Sequence, residues 1–283
     1  MGKQPVKIKD VLERLYAKYN HRYLIKPDPL QFVYRYAGRA DMEIAGLLAA
    51  VLAYGRVEQI EKSLDGLLAQ MGDSPFEFAL NFDEKKKRKI EDFKHRFTTG
   101  SDIAGLLTLL KKILNEYGGI EKFFVEGYTG SDKNIIPALS RFCGSFLNMS
   151  RGHISKGLAY LLPRPEAGSV CKRLNLFLRW MVRRDDVDTG LWQSIDKAKL
   201  IVPVDVHMGR LCKILGFYEQ KTVSLSAAIK ITEGFAAVEP ADPVKYDFAL
   251  SRIGIVENCT GRPSSRCRAC ELFEYCSNRE DWA

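Results

Sequence analysis

Long apolar runs are missing from this sequence, and their absence excludes several classes of protein. No segment approaches the roughly 18 consecutive apolar residues of a membrane-spanning helix. The opening MGKQPVKIKDVLERLY lacks the apolar stretch of a secretory signal, and its Met-Gly start lacks the Ser or Thr of a myristoylation site. The sequence therefore predicts a cytoplasmic protein with no membrane partner.

Strand patterns, internal repeats and low-complexity linkers are also scarce. Neither a P-loop string nor His-Glu-x-x-His occurs, so NTPase and metalloprotease functions lack their usual sequence support. Apolar residues recur at helical spacing instead, and the stretch from Asp41 to Gly55 is apolar almost all round. We therefore expect an all-α protein of roughly ten to twelve helices, with a buried central helix in this stretch.

Basic residues outnumber acidic ones, 43 against 35, which gives a formal net charge of +8. This charge permits a polyanionic partner, but a basic surface can also simply keep a protein in solution. The densest basic run is DEKKKRKIEDFKHRF, residues 83–97. For this run we favour a solvated helix face over a patch that contacts phosphates.

The string VPVDVHMGRLCKILG contains a candidate helix start. Asp205 precedes apolar residues at helical spacing, namely Met208, Leu211, Cys212 and Leu215. An aspartate at this position caps the helix and contributes about 1 kcal/mol. The same position also suits chemistry, because a helix N-terminus attracts phosphate and a carboxylate there can stabilise a cationic sugar. Both interpretations of Asp205 are open, with His207 in the first turn.

Four of the seven cysteines lie close together near the C-terminus, at Cys259, Cys267, Cys270 and Cys276. A secreted disulfide framework would need an even set of cysteines and an export signal, so the cluster is better explained as a metal site. Four thiolates suit a [4Fe–4S] cluster or tetrahedral zinc, and the spacing alone does not distinguish them. With four ligands no position is left for water, so the site would be structural.

The string VPVDVHM resembles the catalytic-aspartate motif of the helix-hairpin-helix (HhH-GPD) DNA glycosylases, especially their 8-oxoguanine branch. The four-cysteine loop is similar to the loop that holds a [4Fe–4S] cluster in the endonuclease III and adenine-glycosylase branches. The stretch KRLNLFLRWMVRRDDVDTGLW is similar to an uncharacterised bacterial family within that superfamily.

This resemblance implies a catalytic pair. Lys172 would be the nucleophile that attacks C1′ of a flipped nucleotide, and Asp205 would stabilise the developing positive charge. Gly168 stands where the superfamily's hairpin has its first glycine, and His207 is expected to contact DNA next to the aspartate. Base excision would then proceed through a Schiff base.

Further DNA contacts follow from the same resemblance. Arg179 and Arg183 would share a helical face with Lys172 and line the DNA cleft. The segment EIAGLLAAVLAYGRVEQIEKSL resembles the early helix whose end fills the gap left by a flipped base, which points to Tyr54 and Arg56. The alternative is equally open: Tyr54 packs in the core, and Arg56 caps the helix C-terminus.

The implied architecture is an all-α, two-lobed fold with DNA in the cleft between the lobes. One lobe would comprise residues 41–200, including a hairpin-like region at 161–184. The other would combine residues 1–40 with 201–283 and carry the metal-binding loop at 259–276.

The implied function is a DNA glycosylase with AP lyase activity, acting on double-stranded DNA with a damaged base, 8-oxoguanine first. We expect a monomeric cytoplasmic enzyme, associated with the nucleoid if the source is bacterial. One alternative is the same chemistry on another lesion, such as an oxidised pyrimidine. The other is a non-catalytic DNA-binding protein with a structural metal, which Val170 favours because it replaces the hairpin's second glycine.

Overall fold

The computed structural model describes residues 4–150, 154–220, 222–255, 259–262 and 264–277. These residues are mainly helical, so the all-α prediction is confirmed. The α-helices are α1 (Gln4–Tyr19), α2 (Arg39–Val51), α3 (Val57–Met71), α4 (Pro75–Leu80), α5 (Glu84–Lys89), α6 (Gly100–Tyr117), α7 (Ile120–Val125), α8 (Ile136–Asn148), α9 (Lys156–Leu161), α10 (Lys172–Val182), α11 (Val206–Ile214), α12 (Leu225–Ala236) and α13 (Asp247–Ile255). None of these is long and apolar enough to cross a lipid bilayer.

Strand structure within the described residues is limited to one small hairpin. Strand β1 (Lys94–His95) pairs antiparallel with β2 (Thr98–Thr99), and a two-residue turn at Arg96 and Phe97 joins them. The basic run that precedes the hairpin forms α5, whose Lys and Arg side chains are largely exposed. Its structure agrees with the solvated face expected from the sequence.

Helix α2 is the central helix, as its apolar composition predicts. Every residue from Glu43 to Val51 is buried, and the helix packs against α10, α4 and a 3₁₀ helix at Pro29–Arg35. The helix begins at Arg39 rather than at Asp41. The carboxylate of Asp41 instead accepts hydrogen bonds from Ser74 Oγ and Phe76 N, at the start of α4.

One carboxylate inside this core joins three segments. Glu43 accepts hydrogen bonds from the backbone amides of Ile120 and Glu121, which are unpaired donors at the N-terminus of α7. It also accepts one from Trp192 Nε1 at 2.7 Å. Burial raises the pKa of Glu43, and these three donors oppose that increase. The buried group is therefore fully bonded and ties α7 and the segment around Trp192 to α2.

The first helix and the last described helix are in contact, since α1 packs against α13, which also packs against α11. Glu13 of α1 accepts hydrogen bonds from Lys245 Nζ and from the Tyr246 hydroxyl just before α13. The 3₁₀ helix at Pro29–Arg35 contacts α2 and α3 instead. The two-lobed division of the chain stays a prediction.

Helix α10 carries two buried arginines at its C-terminal end. Arg179 Nε lies 3.2 Å from Asp188 Oδ1, and its Nη1 pairs with Asp247 at the start of α13. Arg179 is 2% exposed and Asp188 is 1% exposed. A buried guanidinium persists only where carboxylates compensate its charge, so this pair holds α10 against the 184–190 loop and α13.

Arg183 completes the network one turn later. It pairs with Asp185, with Asp188 at 3.0 Å and with Asp242 at 2.8 Å. Burial would raise the pKa of Asp185, but Arg183, two backbone amides and the Tyr16 hydroxyl lower it to about 2. The Tyr16 hydroxyl donates to Asp185 at 2.8 Å, so the network also reaches α1.

We predict that Asp188→Ala destabilises the protein by about 3–5 kcal/mol, because it leaves two buried guanidinium groups with fewer carboxylate partners. Urea unfolding followed by circular dichroism measures the change. The matched control is Asp186→Ala in the same loop, where an exposed carboxylate pairs with His21. The control should cost about 0.5 kcal/mol or less. Equal effects of the two substitutions would contradict a stabilising network.

Candidate functional site

Two helix N-termini meet at one point on the surface. Lys172 is the first residue of α10, and Asp205 immediately precedes α11. Lys172 Nζ lies 3.4 Å from Asp205 Oδ2, with side chains 33% and 38% exposed. The fold thus brings together the two residues that the sequence analysis named as a catalytic pair, and both remain accessible.

Asp205 serves the helix and the pair with different oxygens. Its Oδ1 accepts a hydrogen bond from Met208 N at 2.8 Å, so the predicted N-cap is confirmed. Its Oδ2 faces Lys172. Because the cap bond orients the carboxylate, the second oxygen is held towards the amine without a further contact.

The turn before Lys172 has an unusual backbone. Gly168 has φ 78°, in the left-handed region, and ends a 3₁₀ helix at Pro165–Ala167. Cys171 has φ 51°, which is costly for a residue with a side chain. The Cys171 thiol donates to Pro163 O at 3.3 Å, and Asn175 Nδ2 donates to Val170 O at 3.2 Å. These bonds hold the turn and thereby the start of α10.

Arg179 and Arg183 do not belong to this surface. Both are nearly inaccessible, at 2% and 3% exposed, and their charges are paired with the aspartates of the buried network. The prediction that they line a DNA cleft is therefore wrong. A basic residue that shares a helical face with a site residue can still have a purely structural function when that part of the face packs against acidic segments.

His207 lies next to the pair, exposed in the first turn of α11. Its side chain packs over Gly254 of α13, where an added Cβ would come within 3.2 Å of His207 Cβ. The neighbouring Val206 is 69% exposed. The surface beside Asp205 is therefore open, and DNA contact by His207 stays a prediction.

Tyr54 and Arg56 lie between α2 and α3. The Tyr54 hydroxyl donates to His95 O at 3.0 Å and lies 2.6 Å from Thr98 Oγ1, so the half-buried ring is fixed against the hairpin. Arg56 is exposed at the N-cap position of α3, not at the C-terminus of α2. Arg56 therefore does not cap α2, and its contact with DNA stays a prediction.

Three residues near Tyr54 were missed in the sequence analysis. Phe97 stacks on Tyr54 with ring centroids 5.2 Å apart, and Tyr160 packs edge-on against both rings. The Arg173 guanidinium lies 4.3 Å from the Tyr160 centroid and 5.1 Å from that of Tyr54. We call Tyr54, Phe97 and Tyr160 the aromatic platform. In the sequence, the one indication of this cluster was Phe97, an aromatic residue at the end of the basic run at 83–97.

The four C-terminal cysteines line a single cavity. The rest of its lining is mainly apolar and includes Leu211 and Leu215, with Ile253 of α13. Burial raises the pKa of the Cys270 thiol, and proximity to the other three cysteines raises it further. Among the described residues, no three cysteine, histidine, aspartate or glutamate side chains lie close enough together to hold a metal ion. The donor set of four neighbouring thiols nevertheless fits a thiolate-bound metal centre.

The fold and site define a mainly helical protein with a lysine–aspartate pair at two converging helix N-termini. The chain matches the family described as "Protein of unknown function (DUF2400)" over residues 28–256, and it belongs to that family. No curated protein and no solved structure matches it. The matched segment contains Lys172 and Asp205 and ends before Cys259.

This family match corrects the sequence analysis. The assignment to the HhH-GPD glycosylase superfamily is wrong, because the family that matches is DUF2400. The short string VPVDVHM was sufficient to identify a helix cap, but it was too short to establish a family.

The two functions of Asp205 can be separated by substitution. Asp205→Ala should lower the free energy of unfolding by about 1 kcal/mol, because α11 loses its cap. Asp205→Asn should stay within about 0.5 kcal/mol of wild type, because an amide oxygen caps equally well. Denaturant unfolding gives both values. A loss of stability in Asp205→Asn as large as in Asp205→Ala would mean that the ion pair with Lys172, not the cap, stabilises the fold.

Proposed function

We propose that this protein is a DNA base-excision enzyme, a glycosylase with AP lyase activity, in which Lys172 is the nucleophile. The observation that carries the proposal is the 3.4 Å approach of Lys172 Nζ to Asp205 Oδ2 at an accessible surface. An accessible amine beside an oriented carboxylate is the arrangement that Schiff-base chemistry requires.

The chemistry follows from the two side chains. Asp205 takes a proton from the Lys172 ammonium, and the neutral amine attacks C1′ of the nucleotide. A bond forms between Nζ and C1′ while the bond from C1′ to the base breaks, and the base leaves with that electron pair and is protonated. The leaving base takes its proton from Asp205, and the carboxylate restored in this way stabilises the positive charge that develops on the sugar.

The attacking nitrogen gives up one proton, the C1′–O4′ bond breaks to open the sugar ring, and O4′ takes up that proton, which leaves the protonated Schiff base. Removal of a C2′ proton then breaks the C3′–O bond to the phosphate, which is the lyase step. The Lys172 nitrogen remains the site of covalent attachment until water releases the product.

The helix ends favour a phosphate-containing substrate. Helices α10 and α11 present N-termini at the pair, and unpaired amides and the positive end of each helix dipole attract anions. The net charge of +8 adds a non-specific attraction to DNA. Double-stranded DNA with a damaged base is the partner we propose, with 8-oxoguanine tested first and an oxidised pyrimidine second.

Borohydride trapping tests the proposal. Wild-type protein should form a covalent adduct with a duplex that carries 8-oxoguanine or an abasic site, because borohydride reduces the Schiff base to a stable amine. Lys172→Ala should abolish the adduct, and Asp205→Asn should reduce its rate by at least about 100-fold, in line with the loss of a positioned acid–base group. The adduct is measured on denaturing gels.

The control is Lys230→Ala, which removes an exposed lysine on α12 and should leave trapping unchanged. An adduct on the abasic duplex alone would retain the lyase and move the search to another lesion. No adduct on either duplex, from folded protein that binds both, would favour the non-catalytic DNA-binding alternative.

We further propose that Cys259, Cys267, Cys270 and Cys276 hold a [4Fe–4S] cluster, with zinc as the alternative. The support is that all four thiols line one cavity against apolar side chains of α11 and α13. When bound, the metal centre would cross-link the four positions of the loop to one another, beside the apolar side chains of these helices. Since Asp205 caps α11, the loop would brace the helix whose N-cap is the proposed catalytic carboxylate.

Metal analysis tests this second proposal. Purified protein should be brown and contain iron and acid-labile sulfide, and Cys270→Ser should lose the metal and unfold at a lower temperature. The control is Cys143→Ala, a buried cysteine outside the cavity, which should keep the metal. Colourless protein with stoichiometric zinc would support the alternative. Absence of both metals from freshly purified protein would exclude a metal centre.

A further inference from the structure

Two of the three rings of the aromatic platform are unusually exposed for aromatic side chains. Phe97 is 52% exposed and Tyr160 is 39% exposed, and their ring centroids are 4.5 Å apart. Most large apolar side chains in the described residues are buried, so two exposed rings in contact are unusual here. A contiguous exposed aromatic surface of this kind marks a binding site.

Contacts within the protein hold the platform in place. Phe97 occupies the two-residue turn of the hairpin, beside Arg96 at a strained φ of 55°. Tyr54 supports it from one side with an interplanar angle of 26°, and its hydroxyl is held by the hairpin. The buried His95 ring lies 2.9 Å from both Tyr54 O and Ser63 Oγ. A preorganised surface loses little conformational entropy on binding, so stacking energy is retained.

The charges around the rings favour a nucleic acid over other partners. Both charged residues on the hairpin, Lys94 and Arg96, are basic and exposed, and Arg56 is exposed next to Tyr54. Aromatic faces between basic side chains match the alternation of bases and phosphates along an unpaired strand. A purely apolar partner would gain nothing from these cations.

The platform is joined to the proposed active site through α10. Arg173 follows Lys172 in the first turn, and its guanidinium lies on the rings of Tyr54 and Tyr160. It also donates to the backbone carbonyls of Val51 and Tyr160. The Arg173 side chain therefore connects the platform to the helix that begins at Lys172, and this connection is the basis for placing a strand bound at Lys172 near the exposed rings.

We propose that Phe97 and Tyr160 stack against an unpaired nucleobase that neighbours the nucleotide attacked by Lys172. The substrate class is thereby DNA with a locally unpaired base rather than intact duplex. This inference rests on the proposed function, because that function places the bound strand at Lys172. The stacking itself requires only that the protein binds the strand, not that it reacts with it.

The test uses Lys172→Ala protein, so that no chemistry occurs, and an oligonucleotide duplex with one unpaired 2-aminopurine. Stacking should quench the 2-aminopurine fluorescence, and Phe97→Ala and Tyr160→Ala should each abolish most of the quenching and weaken binding about tenfold. Phe97→Trp should restore both, because it returns an aromatic face. The control is Tyr23→Ala, an aromatic side chain 77% exposed near Asp186 at the other end of α10.

Several results would overturn the inference. One is unchanged quenching and affinity in Phe97→Ala. Another is that the protein with an intact platform binds a fully paired duplex as tightly as the duplex with the unpaired base. A third is a Phe97 dependence seen with anionic phospholipid vesicles but not with the oligonucleotide, which would make the platform a membrane contact. If borohydride trapping fails while the Phe97-dependent quenching is present, the lyase activity is rejected and base stacking on the platform is retained. If trapping succeeds without such quenching, the lyase activity is retained and base stacking is rejected.

Discussion

Buried arginines fix helix α10, and the candidate site depends on that constraint. At the C-terminal end, Arg179 and Arg183 are paired with aspartates from the 184–190 loop, the segment before α13 and α13 itself. At the N-terminal end, Arg173 donates to Val51 O and Tyr160 O. A guanidinium away from water must keep its partners, so the helix cannot shift without a large loss of stability. Lys172 therefore starts from a fixed position although its own side chain is accessible.

The second half of the site is fixed by a smaller interaction. Asp205 uses one oxygen to cap α11, and this bond directs the other oxygen at Lys172. A structural interaction and a proposed catalytic one thus coexist in a single carboxylate. Arg173 likewise has two structural functions, because its one guanidinium both joins α10 to the backbone of α2 and packs against a ring of the aromatic platform. The proposed metal centre would add a third support, because the four cysteines share a cavity with apolar side chains of α11.

Local features of the site were readable from the chain, and distant ones were not. The buried helix α2 and the Asp205 cap followed from apolar spacing and from the chemistry of one side chain. Helical periodicity puts Arg179 on the same face as Lys172. Its carboxylate partners, however, are Asp188 and Asp247, which lie outside α10 and which no spacing rule connects to it. The family assignment failed for a related reason, since VPVDVHM specifies a capped helix start and little else.

The sequence by itself determined the helical composition, the cap at Asp205 and the clustering of four cysteines, because each depends on residues that are close together along the chain. Only the tertiary structure decided which side chains share a surface. It placed Lys172 against Asp205, which lies 33 positions later in the sequence, buried Arg179 and Arg183 away from that surface, and brought the exposed rings of Phe97 and Tyr160 into contact with each other. Burial and charge compensation act between segments that meet only on folding, so no local pattern encodes their outcome.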